Sequence, residues 1–236
     1  MGVARTSGQG VLVITNDYAH EYTLGLALFD FIPLVVSSIG FLLLASWMQG
    51  GFSLAKPAWL GAVMTVTGGT SKALWKFTVV TTGVDVWFLE AAFFPLLAGG
   101  FVVLASAFLL LKFERDRLAL PAALGLLAVC FGWATYQALT KGEASWSFVM
   151  LMMTIAGSST LYLSMAGVAA TRKQFISSLL IILSLGGAFY LTRLARIPEQ
   201  TLGVQWTAQI VNAFAQLAFM LGVVLLIRLT FKPTAQ

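Results

Sequence analysis

Apolar runs of about twenty residues recur along this chain, and none of them alternates polar with apolar positions. The chain has 236 residues, 59% of them hydrophobic and 10% charged, whereas an ordinary soluble domain carries roughly 25% charged residues. A soluble fold of this length could not hide so much apolar surface, because accessible surface falls too slowly as chains shorten. Lipid must therefore serve as solvent for much of the molecule. In lipid only helices and closed barrels satisfy every backbone N–H and C=O. With no alternation to support a barrel, the expected fold is all-α: a polytopic transmembrane helix bundle.

Seven candidate spans follow, at about 24–48, 58–80, 86–111, 118–139, 146–170, 175–194 and 203–227. Each is long enough for a hydrocarbon core of ~30 Å with some tilt. The connections are short and carry turn residues: Gly50-Gly51, Lys56-Pro57, Gly83, Lys141-Gly142 and Ile197-Pro198. Nothing in the composition divides the chain, so residues 1–236 are read as one transmembrane domain.

Lys and Arg counts set the orientation. Lys56, Lys112, Arg115, Arg117, Arg172, Lys173, Arg228 and Lys232 fall on one face, and Arg5, Lys141, Arg193 and Arg196 on the other. That bias puts the N-terminus outside and the C-terminus in the cytoplasm. The expected location is the plasma (inner) membrane of a prokaryote. A segment of span two, Met64 to Ser71, resembles a segment of span five, Met153 to Thr160, at constant offset. Read as a repeat, this is a 3+3+1 arrangement with inverted halves, a common device of transporters and channels. Chance similarity among small apolar residues is the competing explanation.

The formal charge of +5 does not imply a nucleic-acid partner, since the basic residues form no stripe. One cysteine, Cys130, and one histidine, His20, cannot build a Cys/His zinc site or a bis-histidine haem. No metal, cofactor or catalytic residue is assigned. His20 stands beside Glu21 and reads as a solvated pair.

The informative polar residues lie inside the spans, where a charge is costly and faces the bundle interior or water. Asp30 is about 9 Å along span one from its outer end, and Glu90 about one turn into span three. Lys72 and Lys76 are one turn apart on span two, in the same half of the membrane. Two acids and two bases at similar depth can neutralise one another. The expectation is a ligand-binding or ion-pair cluster of Asp30, Lys72, Lys76 and Glu90. Pro33 and Pro95 each remove a backbone donor and free a carbonyl about one turn earlier, next to Asp30 and Glu90 respectively. Gly61, Thr65, Gly68, Lys72 and Lys76 share one face of span two, whose small residues invite close approach by a neighbouring helix.

Span seven adds a second pattern. Gln205, Gln209, Asn212 and Gln216 recur at spacings of four, three and four, forming one polar face from the outer end to mid-membrane. Amides donate and accept, so such a face can line a polar cavity or bond neighbouring helices. The functional expectation is an outward-facing polar cleft in a channel, transporter or receptor-like protein for a small polar or anionic solute. Its partners would be the lipid bilayer, the solute, and a second copy or a membrane-complex partner. A non-catalytic subunit of a larger complex is the alternative, and an intramembrane lipid-modifying enzyme using Asp30 or Glu90 the third reading.

Overall fold

The computed structural model describes residues 5–6, 12–13, 23–49, 55–112, 119–141, 143–197, 199 and 201–230. Apart from a two-residue antiparallel pairing of Arg5–Thr6 with Leu12–Val13, every described element is a helix. They are α1 (Leu24–Phe29), α2 (Phe31–Gln49), α3 (Ala55–Thr82), α4 (Trp87–Lys112), α5 (Ala119–Lys141), α6 (Glu143–Thr171), α7 (Phe175–Leu194) and α8 (Leu202–Thr230). The first two are one rod interrupted at Asp30, so the described helices form seven rods.

Five of these are long and apolar enough to cross a membrane: Leu24–Gln49, Trp87–Leu110, Phe148–Thr171, Phe175–Leu194 and Leu202–Arg228. Their length and apolarity point to an integral membrane protein. The remaining two, α3 and α5, fall short of that measure for different reasons. In α3 the two lysines and a run of Thr, Gly and Ser lower the hydropathy, and packing against other helices does the work that lipid does elsewhere. In α5 the apolar stretch is shorter, Pro121–Tyr136.

Pro33 shows its effect in α1 and α2. It has no N–H to offer the Phe29 carbonyl one turn back, and the helix breaks at Asp30. Pro95 has no such consequence: α4 runs unbroken through it. This α4 is the central helix, with 56% of its apolar segment buried against 22–39% for the other four candidate spans. Two glycines from the aligned segments both close on it. A Cβ on Gly68 would stand 3.1 Å from the Leu97 nitrogen and the Phe93 carbonyl, and one on Gly157 3.1 Å from the Val102 nitrogen. Leu161 and Met165, which the alignment sets opposite the two lysines, are fully buried.

At mid-bundle four rings close into a layer. Phe41 of α2 meets Phe101 of α4 at 5.6 Å, Phe101 meets Tyr162 of α6 at 6.2 Å, Tyr162 stacks on Phe219 of α8 at 5.0 Å, and Phe219 returns to Phe41 at 4.6 Å. Aromatic pairs at such separations add about 0.5–1.5 kcal/mol beyond the area they bury. Towards the chain's basic end the interior below this layer is mainly apolar, filled by Leu44, Met48, Leu104, Phe108, Met165, Val223 and Leu226, with Ser177 donating to the Gly222 carbonyl at 2.8 Å. Asp30, Lys72, Lys76, Glu90 and the α8 amides lie on the other side of the layer, whereas a further buried amide, Gln174, lies at the basic end between α6 and α7.

Gly125 of α5 sits in open space, with nothing within 4 Å of an added Cβ. Gly125→Ala is expected to leave the fold intact and to raise stability by up to ~1 kcal/mol through helix propensity. Thermal unfolding of the purified variant checks this; a marked loss would mean that another surface covers this face.

Candidate functional site

The helix break places Asp30 where α1 turns into α2, with its own N–H bonded to the Leu26 carbonyl at 3.2 Å. Its carboxylate reaches across to α3, where Oδ2 stands 2.6 Å from Lys76 Nζ. Little of this pair meets solvent: the side chains are 12% and 10% exposed. Phe31 and Phe77 flank it edge to face at 6.2 Å.

Lys72, one turn deeper, does something else. Its Nζ lies 4.4 Å from the centre of the Phe93 ring of α4. The negative face of an aromatic ring attracts a cation, by about 0.5–2 kcal/mol depending on desolvation. Such proximity is possible because α3 and α4 meet through glycine: Gly61, Gly68 and Gly100 line the seam, each against the opposite backbone. Lys76, Asp30 and Glu90 are the charges in electrostatic range of Lys72, but among the described residues it forms no ion pair.

Glu90 occupies the first turn of α4 and is exposed. Among the described residues it forms no ion pair with either lysine. Its acidic neighbour is Asp85, whose Oδ1 accepts a 2.8 Å hydrogen bond from Trp75 Nε1 across the α3–α4 turn. That turn reverses at Gly83, with φ of +68°, a conformation that favours glycine. Of the four expected cluster residues, then, the structure joins Asp30 with Lys76, turns Lys72 onto an aromatic ring and leaves Glu90 at the rim. Spacing could not reveal Phe93 as the partner of Lys72, because that requires the α3–α4 register. The Trp75–Asp85 contact has a readable signal in a Trp and an Asp flanking a glycine turn.

On α8 the amide face is directed inward. Trp206, on one side of it, packs edge to face on Phe29 at 5.6 Å. Ala215 and Gly222, on the other side, close on Gly187 and Ile181 of α7. Between these sides Gln205 and Gln209 are 8% and 7% exposed, and the same face continues at spacings of three and four through buried Phe219, Val223 and Leu226. Gln216 Nε2 donates to Asn212 Oδ1 at 3.3 Å. The Oε1 atoms of Gln209 and Gln216 are buried and accept no hydrogen bond among the described residues. α8 runs parallel to α1 and α2, in contact from Phe29–Trp206 down to Gly40–Phe219. Gln209 therefore falls within about one turn of the level of Asp30.

No family model, curated protein or solved structure matches this chain. Its function must be argued from these contacts alone. A further polar feature lies between α6 and α7, where Ser158, Ser159 and Thr192 line a cavity of about 20 Å3, room for one water molecule. Thr192 and Ser158 bond back to their own helices, whereas the buried Ser159 hydroxyl oxygen has no partner among the described residues. Among the described residues, no three His, Cys, Asp or Glu side chains gather into a metal-ligating cluster. His20 and Glu21 lie outside the described residues, as do Arg115, Arg117 and Lys232 from the orientation count.

Proposed function

We propose that this chain crosses the plasma membrane of a prokaryote seven times, N-terminus outside, and binds a small polar or anionic solute in the outer half of its bundle as a channel, transporter or receptor-like protein. The supporting observation is Lys72, a partly buried cation held by an aromatic face instead of a carboxylate. A cation kept in this way can exchange the ring for an anion without first breaking an ion pair. The neighbouring Asp30–Lys76 pair is already neutral as a unit, so Lys72 supplies the attraction. The inverted 3+3+1 arrangement belongs to this reading as its symmetry.

Lys72→Met retains the length and the ring contact but removes the charge. It is expected to melt close to the wild-type protein in detergent while losing the stabilisation that added anions confer. Undiminished anion-dependent stabilisation in this variant would remove the support for the proposal.

A subunit role is the second reading, favoured by the open glycines of α5. Gly125 and Gly132 have nothing within 4 Å of an added Cβ, and small residues let another helix approach closely. Stoichiometric co-purification of a membrane partner, cross-linking through α5, would favour that reading.

A further inference from the structure

We infer that the solute is a small monoanion carrying its own hydrogen-bond donors, of the hydroxycarboxylate class. The inference rests on the anion-binding reading above and narrows it by charge and by hydrogen-bond bookkeeping.

The charge comes first. Within the outer half Asp30 and Lys76 cancel each other, and Lys72 is a partly buried cation that forms no ion pair among the described residues. A monoanion neutralises it. A zwitterion would bring an ammonium into the same space, where the remaining carboxylate, Glu90, is exposed at the rim and not turned to a lysine.

The hydrogen bonds then select among monoanions. A buried acceptor without a partner is costly, and native proteins leave few of them unless a water or a ligand completes the bond. Here two occur on one inward face, Gln209 Oε1 and Gln216 Oε1, seven residues apart with Asn212 between them. The Gln216 amide is oriented by its donation to Asn212, so its oxygen is the end left over. Neither atom has a donor among the described residues, and a ligand's O–H or N–H can supply one. A halide or a simple carboxylate has no donor to give. A hydroxyl donates to such an oxygen and can also accept.

Depth and direction bring the two requirements together. Lys72 lies on α3 between Gly68, which faces α4, and Gly69, which meets Leu34 of α2 at 3.0 Å. Its level is therefore bracketed by the Asp30–Lys76 and Leu34–Gly69 contacts. Gln209 reaches the same level from α8, also turned inward, with Gln216 about 10 Å deeper and the Phe41–Phe101–Tyr162–Phe219 layer beneath.

The test is thermal unfolding of the full chain purified in detergent, titrated with chloride, acetate, glycolate and glycerol. Glycolate is expected to bind about tenfold more tightly than acetate, the equivalent of one net hydrogen bond. Gln209→Leu is expected to erase that difference while leaving the acetate response in place, with Gln209→Met as the second variant should the first fail to fold. Lys72→Met is expected to abolish the response to every anion. Equal binding of acetate and glycolate by the wild-type protein would overturn the donor requirement and leave the anion site standing. Stabilisation by glycerol equal to that by glycolate would overturn the monoanion. If no anion stabilises the protein, or if Lys72→Met responds as the wild type does, the anion site itself falls and this inference with it.

Discussion

Lys76→Met is expected to destabilise the protein by about 3–5 kcal/mol, the usual consequence of removing one partner from a buried ion pair. What is lost is less the attraction between Lys76 and Asp30 than the compensation of the remaining charge. Asp30 is 12% exposed, and its Oδ2 atom, 2.6 Å from Lys76 Nζ, accepts no other hydrogen bond among the described residues. The double variant Asp30→Asn, Lys76→Met should regain most of the loss, since two neutral side chains carry a much smaller desolvation penalty than one bare carboxylate. Thermal or denaturant unfolding of the single and double variants provides the comparison. A Lys76→Met protein as stable as the wild type would mean that water reaches Asp30 freely, and the closed geometry described for this pair would be wrong.

Gly61→Val carries the other large effect. A Cβ at Gly61 would stand 2.8 Å from Leu104 Cγ and 2.9 Å from both the Gly100 carbonyl oxygen and the Leu104 nitrogen. Two of these three atoms belong to the α4 backbone and cannot swing aside as a side-chain tip does. Separating α3 from α4 is the remaining escape, and overpacking of this kind costs about 3 kcal/mol, occasionally more. It should also weaken the contact of Lys72 with Phe93, which lies along the same seam. The expected result is a strongly lowered melting temperature, with Gly61→Ala intermediate. A wild-type melting curve for Gly61→Val would show that the seam is looser than these distances imply.

The contrast between the two lysines shows how far local pattern reaches. Their one-turn spacing on α3 and their common face are properties of one helix, and both were readable. Which of them meets Asp30 depends on how α1 lies across α3, and what the other meets depends on the register of α4. The two prolines teach the same lesson. Pro33 and Pro95 each withhold one N–H, yet the helix breaks before the first and continues through the second. A missing donor is a local fact, whereas its effect on the helix is set by the surrounding packing.

The amino-acid sequence by itself determined the chain's solvent and its repertoire. Long apolar runs with few charges require lipid around them and helix within them, and amide spacing of four, three and four draws one polar face on α8. These are properties of single segments, governed by length and periodicity. The tertiary structure alone decided the pairing of Asp30 with Lys76, the seat of Lys72 on Phe93, the exposure of Glu90, the aromatic layer beneath them and the two amide oxygens left without donors. Each depends on the relative rotation and depth of two or more helices, which side-chain packing between them selects and no single helical period encodes.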